Sequence, residues 1–419
     1  MTNVKDLNIE SDILAIFDNT YNNLTKNCLT DILLNPLKSI DEINNRQKIL
    51  KVFLSNTKLL ERYFYNARVF YDVHTLLTKS DPVKPDFRFK AFLFFNKESR
   101  NVSKGTYIQL IVFLQQQYTF LSYLQNLSQF PLPYREELEA MRDYYISFKL
   151  DLFNELIREN KFKIRHIVFL KKKINELQDN ENTKTFFKYL FTFESLLSIS
   201  QTIHKRKFVF PSFGDNVFSI KGIYHPLLPS AVRNSIFLEK NIALITGPNM
   251  AGKSTLLKSI GISVYLGHLG LAVPAHEANF TFFDEICVYI NHADNLQRGY
   301  SHFINEIKNL KEIVIEASKG TTCFAIFDEI FKGTNMNDAL DITQTTLQGL
   351  AKFNKSVFFI STHMDELKNV EQNNLNSYFL DCKVENGIPV FNYQLNKGWS
   401  SVQIGKLLFK NEGLYEMLE

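Results

Sequence analysis

Residues Thr246–Thr255 read TGPNMAGKST, which carries the spacing G-x-x-x-x-G-K-[ST] at Gly247, Gly252, Lys253 and Ser254. Glycine allows the backbone to turn sharply, so that consecutive N–H groups can converge on the oxygens of a polyphosphate. A lysine at this spacing reaches the β- and γ-phosphates, and the following hydroxyl suits one ligand position on Mg²⁺. The segment therefore predicts a binding site for a nucleoside triphosphate.

The residues on either side of this loop agree with that interpretation. Ala243, Leu244 and Ile245 form an apolar run typical of a buried parallel strand, and apolar residues recur at helical spacing from Leu256 to Leu266. A helix beginning at the loop would direct its positive N-terminal end at the anion. The order strand, glycine loop, helix favours phosphate binding over an unrelated glycine turn.

A second apolar run, Cys323 to Phe327, ends at two carboxylates, Asp328 and Glu329. We expect Asp328 to lie beside Mg²⁺ and its waters, and Glu329 to polarise an attacking water molecule. A surface carboxylate pair at a strand end is the common alternative. The phosphate loop upstream favours the catalytic interpretation.

A third apolar run, Ser356 to Ile360, leads into Ser361, Thr362 and His363. A lone histidine after a strand is usually structural, but ligands of open α/β sheets bind where strands end, so His363 could contact the γ-phosphate. Helical spacing from Ile342 to Phe353 separates this run from the preceding one. The succession of strand, helix and strand predicts a doubly wound parallel sheet.

The interior of the phosphate loop, PNMA before Gly252, is similar to that of the MutS family of DNA mismatch-repair ATPases. Further blocks resemble the family in the same order, at 299–306 (GYSHFINE), 328–334 (DEIFKGT), 361–367 (STHMDEL) and 391–405. The resemblance implies an α/β P-loop NTPase domain of the ABC type at 206–419. It also implies a mainly α-helical core and lever domain at 1–205, with a short arm at 130–178.

The resemblance also implies ATP and Mg²⁺ as cofactors and assigns roles to residues of this chain. Glu329 is expected to be the general base, assisted by Lys253, Asn249, His363 and Ser301. The expected Mg²⁺ ligands are Ser254 and Asp328. The expected nucleotide contacts are Gly247, Pro248, Asn249, Met250, Ala251, Gly252, Lys253, Ser254 and Thr255, with Val232 and Tyr393 near the adenine.

In the family two ATPase domains face each other, so the resemblance implies a homodimer in which Ser301 completes the partner's nucleotide site. Lys332 is a departure, because the family usually has arginine there. Lysine keeps the positive charge but loses the planar fork of the guanidinium group. The departure leaves hydrolysis plausible and bears on its rate.

The N-terminal half shows helical patterns. Pro36 ends one helix, and Ser39 with Glu42 three residues later is typical of an N-terminal helix cap. Apolar residues recur at helical spacing over 41–77 and 107–127. The arm carries basic residues that could contact DNA phosphates, with a solvated helix face as the somewhat commoner alternative: Arg158, Lys161, Lys163, Arg165, Lys171, Lys172 and Lys173.

Composition sets wider limits. The chain has 419 residues, enough for two or three domains, and a net charge of +4 that neither requires nor excludes nucleic acid. Its four cysteines lack a CxxC spacing, which argues against zinc and against a disulfide framework. The first residues lack a hydrophobic signal core and no apolar run reaches membrane-spanning length, so we expect a cytoplasmic protein without a membrane partner.

The family resemblance and the basic arm favour an ATP-dependent DNA-binding protein that hydrolyses ATP in a dimeric sandwich and thereby moves its lever helices. The chain begins in the helical core, so we expect a truncated form without the mismatch-recognition domain and no direct mismatch sensing. The alternative is a nucleotide-switched module that acts on RNA or the ribosome, or that scaffolds protein partners. A metabolic kinase is disfavoured, because the sequence indicates no separate small-substrate pocket.

Overall fold

The computed structural model of the protein describes residues 2–79, 84–124, 126–215, 217–290, 302–369, 375–385, 388–399 and 404–418. The chain forms two compact units. A helical unit comprises Phe17–Ile32 and Asn45–Lys205. A sheet-containing unit comprises Met1–Ile16, Leu33–Asn44 and Arg206–Glu419. The first two of these segments belong to the region that we expected to form the helical domain.

The helices of the first half are α1 (Leu14–Phe17), α2 (Asn23–Leu34), α3 (Ile40–Ser55), α4 (Thr57–Arg62), α5 (Ala67–Thr78), α6 (Phe87–Phe95), α7 (Lys97–Ser122), α8 (Leu132–Ser147), α9 (Leu150–Arg158), α10 (Ile164–Asp179) and α11 (Asn182–Arg206). The expected cap of α3 is present, because Ser39 Oγ accepts a hydrogen bond from Glu42 N at 3.2 Å. Asp86 and Asn96 cap α6 and α7 in the same manner. Side-chain acceptors at these positions satisfy backbone donors that a helix leaves unpaired at its start.

The core of the helical unit surrounds one buried carboxylate, Glu194 of α11. Its oxygens accept hydrogen bonds from the Thr25 and Tyr63 hydroxyls and from the Asn22 amide. Burial raises the pKa of Glu194, although these donors oppose the shift. Aromatic rings such as Phe193 pack around the network, so a carboxylate inside an apolar core is compensated by directed donors.

The strands are β1 (Ser212–Phe213), β2 (Ser219–Ile223), β3 (Asn234–Phe237), β4 (Ile242–Thr246), β5 (Glu277–Phe280), β6 (Glu285–Tyr289), β7 (Cys323–Phe327), β8 (Val357–Ser361), β9 (Asn376–Glu385) and β10 (Ile388–Lys397). The helices of this half are α12 (Lys253–His268), α13 (His302–Ser318), α14 (Met336–Leu350), α15 (Ile404–Asn411) and α16 (Leu414–Leu418). Short 3-10 or π turns occur at Lys5–Leu7, Ile9–Ile13, Leu127–Gln129 and Asp365–Asn369.

The larger sheet has the order β10-β9-β4-β8-β7-β6. Its pairs from β9 to β6 are parallel, and only β10 joins antiparallel, as a hairpin with β9. Every residue of β4, β7 and β8 is buried, as expected for parallel strands covered on both faces. The strands predicted from the apolar runs before Gly247, before Asp328 and before Ser361 are therefore confirmed.

Two features of the sheet-containing unit were not predicted. The first is a smaller sheet of order β1-β5-β2-β3, which mixes parallel and antiparallel pairs. The second is the N-terminal segment, in which Asn3 pairs in parallel with Cys287 at the edge of the larger sheet. Asn3 N donates to Ile286 O at 2.9 Å, and Val288 N donates to Asn3 O at 2.8 Å. The segment thus supplies partners to a strand edge that would otherwise be open.

One histidine, His268 at the end of α12, is enclosed within this unit. Its Nδ1 lies 2.8 Å from Val264 O, and its Nε2 accepts a hydrogen bond from Phe283 N at 2.9 Å. Burial lowers the pKa of His268 to about 4.

Within the described part of the chain, no helix combines the length and apolarity needed to cross a lipid bilayer.

Candidate nucleotide site

The loop between β4 and α12 has backbone conformations that require glycine. Gly247 has φ +137° and Gly252 has φ +94°, values that other residues rarely adopt. A Cβ atom on Gly247 would lie 3.1 Å from Leu380 O, and one on Gly252 would lie 3.2 Å from the ring of Tyr393. Both glycines of the predicted motif are therefore needed for shape as well as for backbone freedom.

Lys253 begins α12, and its side chain is buried at 4% exposure. Its Nζ donates to Gly247 O at 2.8 Å and to Pro248 O at 3.3 Å, and lies 3.9 Å from Glu329 Oε1. Burial lowers the pKa of Lys253, and the nearby carboxylates oppose that shift. The ammonium group is thus held inside the loop, on the side of the acidic strand end.

Asp328 and Glu329 leave the sheet at the carboxyl end of β7, beside β8. The Ser361 hydroxyl at the end of β8 donates to Asp328 Oδ1 and accepts a hydrogen bond from Glu329 N at 2.8 Å. Asp328 is buried, whereas the side chain of Glu329 is 15% exposed. One buried hydroxyl therefore fixes both carboxylate-bearing residues relative to the neighbouring strand.

The Glu329 carboxylate has cationic neighbours. Its Oε2 lies 2.6 Å from Nζ of Lys332, which is mostly exposed. Burial tends to raise the pKa of Glu329, but the hydrogen bond and charge of Lys332, with the charges of Lys253 and His363, lower it overall. The backbone at Glu329 and Phe331 is left-handed, with φ +52° and +63°. The carboxylate is thus ionised and held in a tight turn.

A cavity of about 690 Å³ opens onto the loop. Its walls include most of the predicted nucleotide contacts, together with Glu329, Lys332 and residues of β2, β3 and the connection between them. The predicted site residues that line it are Val232, Pro248, Asn249, Met250, Ala251, Gly252, Lys253, Ser254, Thr255, Glu329 and Tyr393. This volume lies within the usual range for small-molecule and cofactor sites, about 300–1,000 Å³.

The remaining predicted residues are not part of this lining. Gly247 and Asp328 are buried, and His363 is exposed just after β8. The charge of His363 acts on Glu329, so the two side chains belong to one electrostatic environment. Ser301, the residue expected to act in trans, lies outside the described residues.

The start of α13 packs against the turn after Glu329. Glu306 Oε2 accepts a hydrogen bond from Phe331 N at 2.8 Å, and the ring of Phe303 contacts that of Phe331 edge-on. A Cβ on Gly333 would lie 3.0 Å from Phe303 Cβ. The roles of Glu306 and Ser361 in holding this turn were not predicted, although both lie in segments that the resemblance singled out.

The predicted DNA contacts of the arm differ in environment. Lys171 is buried at 4% exposure with its ammonium 4.6 Å from the centre of the Phe89 ring, which makes it a packing residue and corrects its assignment as a phosphate contact. Lys161 lies 2.7 Å from a carboxylate oxygen of Glu159, and Lys173 lies 3.8 Å from one of Glu176. The basic side chains that remain exposed without such an ion pair among the described residues are Arg158, Lys163, Arg165 and Lys172.

Comparison with known families identifies the domain that carries this site. Residues 243–413 match the family model for MutS domain V. This range contains the glycine loop between β4 and α12, the Asp328-Glu329 strand end, Ser361 and strands β9 and β10.

Curated relatives agree. The chain is 28% identical over 290 residues to the DNA mismatch repair protein MutS of Geobacillus sp. (strain WCH70), covering 66% of this chain and 32% of that protein. It is 26% identical over 306 residues to the protein of the same name from Halalkalibacterium halodurans, covering 70% and 33%. It is 30% identical over 229 residues to that of Listeria monocytogenes serotype 4a, covering 52% and 26%. The chain therefore matches between a quarter and a third of the length of these relatives.

Proposed function

We propose that the chain, whose residues 243–413 match MutS domain V, is a MutS-family ATPase that hydrolyses MgATP at the loop around Lys253 and couples hydrolysis to DNA binding. In this proposal, residues 206–419 form a P-loop NTPase domain of the ABC type, and residues 1–205 form its helical core and lever. One observation carries the proposal. The Lys253 ammonium and the Glu329 carboxylate lie 3.9 Å apart at a cavity bordered by a glycine loop and a helix N-terminus.

The loop suits a triphosphate in shape and in charge. Positive φ values at Gly247 and Gly252 turn the backbone so that its N–H groups can face an anion, and α12 begins directly after the loop. Lys253 already contacts the loop carbonyls, and an ATP phosphate would offer its ammonium a stronger, charged acceptor. Asn249, exposed at the cavity, is placed to contact the γ-phosphate or the attacking water.

Mg²⁺ fits the oxygen donors at the start of α12 and at the end of β7. The hydroxyl of Ser254 and the carboxylate of Asp328 are oxygen donors of the kind that Mg²⁺ binds, with water completing its shell. Asp328 is held by the Ser361 hydroxyl, so its orientation is fixed before metal binding. When bound, the metal would neutralise charge on the phosphate oxygens.

We assign Glu329 as the general base. It would accept a proton from a water molecule whose oxygen attacks the γ-phosphorus, while the bond between that phosphorus and the β,γ-bridging oxygen breaks and ADP leaves with the electron pair. The low pKa of Glu329 keeps it ionised, as a proton acceptor must be. Lys253 would stabilise the charge that develops on the transferred group.

The adenine would lie toward Val232 and Tyr393, which border the same cavity. Asn234 fixes this wall, since its amide donates to Tyr393 O at 3.0 Å and its Oδ1 accepts from Leu395 N at 2.8 Å. The side chain of Tyr393 is 46% exposed and can therefore present its ring to a base.

The proposal includes a homodimer in which Ser301 of one chain completes the nucleotide site of the other. It also includes DNA as the polymer, contacted by exposed basic residues such as Arg158 and Lys172. The relatives named above are DNA mismatch repair proteins, which supports DNA over RNA. Action on RNA, on the ribosome or on protein partners is the competing outcome of the experiment that follows.

The test is ATP hydrolysis by the purified full chain with homoduplex, mismatched, branched and single-stranded DNA, and with structured RNA. Glu329→Gln should bind ATP normally and lose at least about 100-fold in turnover, the usual contribution of a general base. Lys253→Ala should weaken ATP binding roughly 10- to 150-fold through loss of a charge-assisted contact. Lys258→Ala, on the same helix outside the cavity lining, is the matched control and should bind ATP normally.

Selective stimulation by one form of DNA would support the proposal and identify the substrate. If RNA but none of the DNA forms stimulates ATP hydrolysis, the result would support action on RNA or the ribosome instead. Normal turnover by Glu329→Gln would refute the assignment of the base.

A further inference from the structure

The helical unit contains a second cavity, of about 750 Å³, that the proposed ATPase chemistry does not use. It lies between one face of α6, the first turns of α7 and the start of α10. Its lining combines phenylalanine rings with lysine and arginine side chains and contains no carboxylate among the described residues. Such a composition calls for an anionic partner with flat apolar parts.

The apolar wall consists of exposed aromatic rings. Phe87, Phe94 and Phe95 are 82%, 63% and 84% exposed, respectively. Phe87, Ala91 and Phe94 follow at positions i, i+4 and i+7 of α6, so they share one helix face. Contiguous exposed apolar surface is unfavourable in water and marks an interaction site in a soluble protein.

The opposite walls carry the charge: Lys90, Arg100, Lys104, Lys163 and Arg165. Within the described residues, none of the five forms an ion pair with a carboxylate. Arg100 donates to Phe94 O at 3.2 Å and Lys104 to Asn160 Oδ1 at 3.4 Å, and each retains further donors. Neutral oxygen partners leave the positive charges uncompensated, so the cavity is electropositive.

The pKa of the adjacent His166 is affected by two of these positive charges. Nδ1 of His166 in α10 lies 3.0 Å from Lys163 N, and its Nε2 lies 2.9 Å from Arg165 Nε. Burial, followed by the charges of Arg165 and Lys163, lowers the pKa of His166. The imidazole is therefore neutral near pH 7, and the positive charge of the cavity comes from the lysine and arginine side chains alone.

We propose that this cavity binds single-stranded nucleic acid, with an unstacked base against the ring of Phe95, the most exposed of the three, and the neighbouring phosphates on Lys163, Arg165 and Arg100. Base stacking on aromatic rings combined with a basic groove is the common mode of single-strand recognition. The inference deepens the DNA-binding part of the proposed function and rests on it, because it names the form of nucleic acid. It uses no residue of the ATP site.

The shape of the cavity favours this occupant over the other anionic surfaces. A membrane surface requires a flat or convex amphipathic face, whereas these rings line a concavity between three helices. A duplex would keep its bases stacked inside and could not use the rings. An acidic peptide would match the charge, and the experiment separates it from nucleic acid.

The experiment measures fluorescence anisotropy of a labelled oligothymidylate of about 20 nucleotides, which exceeds typical single-strand site sizes. It uses the full chain, with a duplex of equal length and polyglutamate as competitors. Phe95→Ala should weaken binding of the single strand roughly 5- to 150-fold, as expected for a lost stacking contact. Phe95 is so exposed that its removal should leave the thermal unfolding midpoint unchanged.

Two further substitutions separate stacking from simple apolar contact. Phe95→Leu keeps apolar surface without a π face and should bind as weakly as Phe95→Ala, whereas Phe95→Trp should bind at least as tightly as the parent protein. Phe64→Ala removes an aromatic ring that is 61% exposed in the same unit but outside the cavity lining. This variant should bind the single strand as tightly as the parent protein. Arg165→Gln should reduce the salt dependence of binding by about one phosphate contact.

Equal affinity of parent and Phe95→Ala for the single strand would overturn the inference, as would full affinity in Phe95→Leu. Competition by polyglutamate but not by single strands would assign the cavity to an acidic protein instead. Absence of ATP hydrolysis by the parent protein together with Phe95-dependent binding of the single strand would refute the ATPase proposal alone. ATP hydrolysis by the parent protein without Phe95-dependent binding would refute only this inference.

Discussion

Nζ of Lys332 lies 2.6 Å from Oε2 of Glu329, so the carboxylate proposed as the general base is ion-paired to a mostly exposed lysine three residues later. The pair belongs to the same turn as the left-handed backbone at Glu329 and Phe331. Lys332 therefore helps to set the pKa of Glu329. From the sequence, Lys332 is identified only as a lysine where the family usually has arginine.

We expect Lys332→Ala to change the pH dependence of hydrolysis. Loss of the hydrogen bond and charge of Lys332 removes the largest factors that lower the pKa of Glu329, whereas burial, which raises that pKa, remains. The acid limb of kcat against pH should therefore move to higher pH, because the base is protonated earlier. Lys332→Arg keeps a cation at the site and should leave the limb near its original pH. An unmoved limb in Lys332→Ala would show that the pair does not govern the base.

Ser361→Ala should reduce both stability and turnover. The hydroxyl donates to Asp328 and accepts from Glu329 N, so its loss leaves buried polar groups unpaired, at a cost of about 1–3 kcal/mol in the free energy of unfolding. Ser356→Ala is the matched control at the other end of the same strand region, where the buried hydroxyl accepts from Cys323 N at 3.0 Å. Both variants should lose similar stability in denaturant titrations, but only Ser361→Ala should lose kcat. Equal kcat in the two variants would argue against a functional role of Ser361.

The pH dependence of stability should include a contribution from His268. The folded-state pKa of about 4 lies below the ordinary value of 6.5, so protons bind the unfolded chain more readily. Stability from this group is complete above about pH 6.5 and is lost as the pH falls toward 4, by up to about 3 kcal/mol. Chemical denaturation of the parent protein and of His268→Gln, at several pH values in this window, measures the effect. The stability advantage of the parent should shrink as the pH falls, and a constant difference would contradict the assignment.

Two glycine-to-alanine substitutions should change the free energy of unfolding in opposite directions. At Gly349 of α14 an added Cβ meets no heavy atom within 4 Å, so Gly349→Ala should raise the free energy of unfolding by about 0.5–1 kcal/mol through helix propensity. At Gly333 the added Cβ would lie 3.0 Å from Phe303 Cβ and 3.2 Å from Phe303 N. Gly333→Ala should therefore lower stability and turnover by displacing the start of α13 from the Glu329 turn. Thermal unfolding and ATP turnover of both variants provide the comparison.

The strands that carry the site could be predicted because their sequence signal is local. Every residue of β4, β7 and β8 faces a covered surface, and such strands appear as short, uninterrupted apolar runs. The glycine spacing then identifies the loop without reference to distant residues. Asp328 and Glu329 follow from the same logic, since they end one of these runs.

Features that depend on distant partners could not be predicted from local patterns. The strands of the smaller sheet are short, and β1 has only two residues. Asn3 joins the larger sheet beside Cys287, a pairing that no nearby residue signals. The burial of Lys171 over Phe89 likewise depends on packing between α10 and α6. Long-range contacts decide these cases, and a charged side chain gives no local sign of being buried.

The left-handed backbone at Glu329 and Phe331 bears on how the protein would respond to selection for heat resistance. Conformations of this kind cost about 1–3 kcal/mol at residues other than glycine. Glycine at 331 would relieve that cost but lose the ring contact with Phe303, and glycine at 329 would remove the proposed base. Thermostable variants should accordingly carry their substitutions outside this turn, because the conformation that orients the Glu329 carboxylate also lowers the stability of the folded protein.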